Sequence, residues 1–147
     1  HCPFDYTLKQ KLGGADFTKC PNGMPGVELR FPLMFSEGVM EGRISPVEFA
    51  RLCALNPAKL FGMYPKKGVI RPGSDADIVI MDPARQYTVS HDRLHENVDH
   101  TPYEGMRVEC DIDCVISRGD LIVKNNEFIG QKGRGQFIKR GKPLLDK

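Results

Sequence analysis

Four histidines, His1, His91, His95 and His100, are the side chains whose type suits metal chemistry, so their spacing comes first. A hydrolytic metal centre needs convergent His and carboxylate ligands around a position left open for water. His91 and His95 stand four apart and would share a face if His91-Asp92-Arg93-Leu94-His95 were helical. No Glu follows the first of them, as it would on a metalloprotease helix. The adjoining Val98-Asp99-His100-Thr101-Pro102 reads as loop. These histidines are therefore expected to be exposed or partner-facing polar groups, and no metal ligand is assigned in the chain. Asp75 and Asp77, in Gly73-Ser74-Asp75-Ala76-Asp77, form an acidic pair without a third ligand, which predicts turn formation and side chain-to-backbone bonding. Gly133-Arg134-Gly135 has the composition of a phosphate loop but lacks the strand before it and the helix N-terminus after it. Cys2 lies beside His1, yet adjacent side chains on an extended segment point to opposite sides, so the imidazole would not activate the thiol. The residues on their own predict no self-sufficient catalytic constellation.

The elements that would have to position such groups fall into three stretches. Residues 1–25 are punctuated by Pro3, Gly13-Gly14, Pro21-Asn22-Gly23 and Pro25-Gly26, and read as a long loop of the kind that carries function. Residues 26–64 read as helical. Val27, Leu29, Phe31, Leu33, Met34, Phe35 and Val39 are too densely apolar for a surface helix, and Pro32 among them predicts a kink or break. Ser45, Pro46 and Glu48 make a capping-box start ahead of the stripe Phe49, Leu52, Cys53. Asn56-Pro57 restarts a short helix that Gly62 or Tyr64-Pro65 closes. Beyond residue 66 the pattern turns to period two. Expected strands are 68–71 leading into a turn, Ile78–Asp82 stopped by Pro83, and Tyr87–Val89. A hairpin follows through Arg118-Gly119, with a further turn at Asn125-Asn126. Residues 131–147 read as a tail.

This order does not make one self-contained domain. Helices apolar on most faces need a partner, and strands with free edges are a liability. The pattern predicts the ends of two domains of a larger chain, the strands being part of a small β-sandwich. Composition narrows the function classes. Lys and Arg total 21 against 19 Asp and Glu, a net charge of +2 that supplies no basic face for a phosphate backbone. Lys132, Arg134, Lys139, Arg140 and Lys142 are accordingly read as a solvated or subunit-contacting tail. No 18-residue apolar run is present, so a membrane span is not expected. Five irregularly spaced cysteines, Cys2, Cys20, Cys53, Cys110 and Cys114, suggest free thiols in a reducing cytoplasm.

Four stretches together carry a family likeness. His1-Cys2-Pro3-Phe4 resembles the end of the Asp-His-Cys-Pro-Phe segment of dihydropyrimidinases and D-hydantoinases. Lys11 to Phe17 followed by Pro21-Asn22-Gly23-Met24-Pro25-Gly26-Val27-Glu28-Leu29-Arg30 resembles that family's substrate loop. Asn56-Pro57-Ala58-Lys59 through Gly68, with Gly73-Ser74-Asp75-Ala76-Asp77, is similar to amidohydrolases more widely. Tyr103-Glu104-Gly105-Met106 and Arg118-Gly119 belong again to the narrower group. Cys20 stands where an aliphatic residue would be usual.

The resemblance implies an α/β fold: the C-terminal end of a TIM-like barrel over residues 1–64, mainly helices and a loop. The C-terminal half of a β-sandwich would cover 65–130, with a tail that contacts neighbouring subunits over 131–147. It implies a zinc-dependent cyclic amidohydrolase acting on the ring amide of a dihydropyrimidine or hydantoin, cytoplasmic and a homo-tetramer or homo-dimer. Two zinc ions would be held by residues upstream, and the proton-shuttling Asp would immediately precede His1, so no catalytic residue lies in this chain. The site residue that the resemblance leaves here is Asn22, whose turn would bind the substrate's ring amide. The segment alone is expected to be inactive and to lack zinc, needing the remaining part of the same enzyme. The rival reading is a non-catalytic scaffold of the collapsin-response-mediator type; Asn22 favours the enzyme.

Overall fold

A computed structural model describes residues 3–144 of the chain. His1 and Cys2, and with them the thiol–imidazole pair considered and set aside above, lie outside the described residues, as do residues 145–147 of the tail.

Helix α1 (Tyr6–Gly13) is followed by a 3₁₀ turn, Phe17–Lys19. Helix α2 begins at Arg30 and continues from Met34 into a wider π-helical stretch, Phe35–Met40. Pro32 therefore occupies the first turn, where a missing N–H costs nothing. The interruption expected at Pro32 lies instead before the helix, in the turn over 27–29. Helix α3 (Pro46–Ala50) starts with the predicted capping box. Ser45 Oγ accepts from the Glu48 N–H at 3.2 Å, and Glu48 Oε2 accepts from the Ser45 N–H at 2.8 Å. It runs through a π stretch, Arg51–Leu55, into α4 (Asn56–Leu60). Pro57 accounts for the widened turn, because its ring would strike the carbonyl four residues back and it has no N–H to offer there. At the far end Gly62, at φ +67°, closes a Schellman motif: Gly62 N donates to Lys59 O (3.1 Å) and Met63 N to Ala58 O (2.8 Å).

The strands are antiparallel throughout. Strands β1 (Ile78–Asp82), β4 (Asp111–Ser117), β5 (Asp120–Lys124) and β6 (Glu127–Phe128) form a sheet in the order β1-β4-β5-β6. Strands β2 (Tyr87–Thr88) and β3 (Arg107–Val108) form a separate pair. The β4–β5 turn has Arg118 at φ +50° and Gly119 at +86°, and the β5–β6 turn has Asn125 and Asn126 at +49° and +63°. Both are the left-handed two-residue hairpins that match strand twist. No strand forms over 68–71, where the period-two reading expected one; Lys67, Gly68 and the residues after them make turns against the α3–α4 helix, and a Cβ on Gly68 would lie 2.5 Å from Ala58 Cβ. The short strand β3 was not anticipated, since two residues carry no periodicity.

The core forms where α2 begins. Leu29, Val89, Val108 and Cys110 are fully buried, with Leu33, Phe35, Met81, Tyr87, Leu94 and Tyr103 packed around them. Burial pushes the Cys110 thiol up to about 11, and the Tyr87 hydroxyl to about 12. Elsewhere apolar surface is left open. A cleft of about 1180 Å³ separates the α3–α4 helix (Phe49, Cys53, Ala54) from the sheet face carrying Ile78, Val115 and Ile122. The tail is not loose over the described residues. Arg134 hydrogen-bonds Ser117 Oγ (2.8 Å) and Asp120 (2.7 Å), Gly141 N donates to Gly62 O (2.7 Å), and Leu144 N donates to Lys59 O (3.0 Å). The tail is thus a strap from the β4–β5 turn to the end of α4, and Arg134 is a clamp rather than a solvated charge. Among the described residues no helix is long and apolar enough to cross a membrane, and Cys20, Cys53, Cys110 and Cys114 are free thiols.

Candidate functional site

The loop over residues 3–29 is held by groups from the segment between β2 and β3, and each fastening has a distinct physical basis. Helix α1 leaves its first N–H groups without helical partners. Asp5 precedes the helix but makes no capping bond. That role falls to Asp99, whose Oδ1 accepts from the Tyr6 N–H at 2.7 Å and whose Oδ2 accepts from Thr7 Oγ1 at 3.4 Å. The Tyr6 N–H, foremost, holds the Asp99 carboxyl below the usual carboxylate range. At the other end of the loop, Glu96 Oε1 accepts from the Gly26 N–H (2.9 Å) and the Glu28 N–H (3.3 Å). Glu28 reciprocates: one carboxylate oxygen accepts from the His95 N–H (2.7 Å) and the other lies 2.8 Å from His95 Nδ1. Gly26, at φ +144°, lies against Tyr103, where a Cβ would come within 3.1 Å of the ring.

Between these anchors lies the segment Pro21-Asn22-Gly23-Met24, which makes no hydrogen-bonded turn or bend; the turn expected ahead of Gly23 does not form, the Pro21 and Gly23 carbonyls being taken by a side chain rather than by a nearby peptide N–H. Pro25 beyond it is buried, whereas Asn22, Gly23 and Met24 are exposed. The Lys9 ammonium donates to the carbonyl oxygens of Pro21 (3.0 Å) and Gly23. Cys20 packs on Gly13 so closely that a Cβ there would lie 2.5 Å from the Cys20 Cβ, which brings the chain back onto α1. Asp16 shapes the approach by accepting from the Thr18 N–H at 3.1 Å.

The other residues singled out in the sequence do not join this segment as ligands. His91 is bound to Glu104, its N–H at 2.9 Å and its Nδ1 at 3.3 Å, and His100 Nδ1 lies 3.2 Å from Asp99 Oδ1. His91 and His95 share no helical face, since only His91–Arg93 forms a 3₁₀ turn and the two imidazoles pair with different carboxylates. Among the described residues no three His, Cys, Asp or Glu side chains converge on a metal position. Asp75 and Asp77 are tied up structurally. Asp75 pairs with Lys66 (2.8 Å) and Lys67 (2.9 Å), which hold its carboxyl low, and Asp77 pairs with Lys67 and accepts from the Arg118 N–H at 2.8 Å. The described site therefore offers peptide groups and walls, with neither nucleophile nor metal ligand set. Lys9, Glu96 and Asp99, which build it, had no role in the sequence reading. Their partners lie 12 to 93 residues away, and no local pattern links them.

Comparison with known proteins places this geometry. The model of the Amidohydrolase family matches residues 19–122. A D-phenylhydantoinase of Escherichia coli O81 is 46% identical over 145 residues, which are 99% of this chain and 31% of that protein. The crystal structure of dihydropyrimidinase from Brevibacillus agri superposes with a TM-score of 0.95 at 47% identity, covering 99% of this chain and 32% of that one. L-hydantoinase (dihydropyrimidinase) from Arthrobacter aurescens matches with a TM-score of 0.83 at 33% identity, covering 91% and 30%. The chain thus spans about a third of the length of the curated relatives it matches.

Proposed function

Because this chain belongs to the amidohydrolase family, we propose that it forms one segment of a cyclic amidohydrolase of the hydantoinase and dihydropyrimidinase type. In this reading the segment at Asn22 binds the ring amide of a dihydropyrimidine or hydantoin. The observation that carries the assignment is the segment itself, exposed at Asn22 and Gly23 yet fastened by Lys9 and, beyond it, by Glu96. It sits within a chain whose backbone follows that of a dihydropyrimidinase almost throughout. A segment fastened in this way suits recognition of a planar amide, because its peptide groups lose less freedom on binding.

The described residues do not fit zinc, since no three ligands meet. Zinc, which in such enzymes makes water nucleophilic at neutral pH, would be held by side chains outside this chain. Residues 3–64 would form the end of a barrel and 65–130 half of a sandwich. The open apolar cleft between α3–α4 and the sheet supports that division, as both faces present core-type side chains. The strap over 131–144 would lie near a subunit boundary of a homo-dimer or homo-tetramer working in the cytoplasm.

The test is ring opening of dihydrouracil and hydantoin by the full-length protein containing this chain, with metal analysis and an Asn22→Pro variant that removes the peptide donor at that position. Turnover with bound zinc is expected, together with a KM raised about ten-fold in the variant, the size set by losing one hydrogen bond to substrate. Absence of turnover on both rings, or an unchanged KM in Asn22→Pro, would overturn the assignment.

A further inference from the structure

We infer that Lys9 is a positioning residue for the Asn22 segment, aiming its peptide donors away from α1 and toward the substrate; this rests on the function proposed above. Lys9 lies on α1, half-buried, and its ammonium is shared by the carbonyls of Pro21 and Gly23. The peptide bonds following these two residues are trans, the sole cis bond among the described residues being Tyr64–Pro65. In a planar trans peptide the carbonyl of one residue and the N–H of the next point in opposite directions. A cation that holds the Pro21 and Gly23 carbonyls therefore turns the Asn22 and Met24 N–H groups to the far side of the chain. Among the described residues neither N–H donates to another protein group. Each of these free donors can take a carbonyl oxygen of a cyclic imide or ureide ring.

The rest of the loop makes this orientation depend on Lys9. Asp99 fixes where α1 begins, and so where Lys9 stands. Glu96 holds Gly26 and Glu28 from the other side, after the segment. Neither reaches residues 21–24, and Gly23, at φ +106°, leaves the chain free to swivel there. Lys9 is the group that restrains that swivel. Its stem and charge are both used: the stem spans from helix to loop, and charge-assisted bonds to carbonyls are the stronger kind.

The inference is tested in the full-length protein with Lys9→Met, Lys9→Gln and Lys9→Arg, using dihydrouracil and hydantoin as substrates. Lys9→Met removes both bonds, Lys9→Gln keeps one donor group, and Lys9→Arg can reach both carbonyls. The expected result is a graded rise in KM, about ten-fold for Met, intermediate for Gln and within about three-fold for Arg. The kcat should stay within about two-fold and the melting temperature should be little changed. If Lys9→Met does not fold, the Gln and Arg variants decide by the same ordering. Equal effects of Arg and Met, or a loss confined to kcat and stability, would overturn the role of Lys9. Should Asn22→Pro raise KM while all Lys9 variants leave it alone, the substrate segment stands and the positioning role falls. Should Asn22→Pro leave KM unchanged as well, the segment is not the substrate site.

Discussion

Replacing Glu96 should loosen the far anchor of the Asn22 loop, and its size follows from two bonds. Glu96 Oε1 accepts from the Gly26 N–H at 2.9 Å and from the Glu28 N–H at 3.3 Å, in partly buried surroundings. A hydrogen bond to a charged group contributes about 1.5–3 kcal/mol. The second bond is long and the site is partly open to water, so about 2 kcal/mol for the pair is the reasoned figure for Glu96→Ala. At about 1.4 kcal/mol per factor of ten, the Gly26 and Glu28 amides should exchange with solvent about 30-fold faster. Glu96→Gln keeps an acceptor without the charge and should lose about half as much, giving about five-fold. Hydrogen–deuterium exchange of the full-length protein, read on peptides covering residues 24–30 and on a β4–β5 control peptide, measures both. Unchanged exchange at 26 and 28 in Glu96→Ala would refute the anchor. So would equal acceleration in the control peptide, since that would report general unfolding.

Two further outcomes are expected. The Asp99 carboxyl is held low, chiefly by the Tyr6 N–H, so its contribution is full above the unfolded carboxylate value of about 3.9 and fades as pH falls through the lower folded value. Exchange over residues 5–13 should therefore rise on acidification below about pH 4, and Asp99→Asn should show at pH 7 part of that rise; a pH profile identical in Asp99→Asn and the parent would exclude Asp99 as the cap. Gly62→Ala should destabilise more than Gly73→Ala. Both glycines have positive φ, at a cost of about 1–2 kcal/mol for a side chain, but only at Gly62 does a Cβ fall 2.2 Å from Gly141 O, while at Gly73 nothing lies within 4 Å. Paired thermal melts, with exchange at 141–144, check this, and equal losses would show that the strap does not press on the end of α4.

The elements that could be read along the chain are those whose cause lies within a few residues. Ser45 and Glu48 cap each other across three positions, so the start of α3 was legible. Arg118-Gly119 and Asn125-Asn126 carry the turn chemistry that their hairpins need, and Pro83 follows the last residue of β1. The family was legible too, through motifs spread over the whole chain, and the match over residues 19–122 agrees. Errors arose where local pattern lacked information. Residues 68–71 are apolar enough for a strand but form turns against the α3–α4 helix, and Pro32 falls in a helix's first turn once that helix starts at Arg30.

The residue types alone determined the capped start at Ser45 and the hairpin at Arg118-Gly119, whereas the turn they suggested at Asn22-Gly23 does not form. Tertiary structure alone decided what steadies the segment around Asn22. Asp99 reaches α1 across 93 residues and Glu96 reaches Gly26 across 70, while Lys9 takes the Pro21 and Gly23 carbonyls. The reason is physical. Caps and hairpin turns are bonds between near neighbours and are written in spacing. A carboxylate or an ammonium takes whichever peptide group the packed core brings within about 3 Å, and where Leu29, Val89, Val108 and Cys110 meet is what sets those distances.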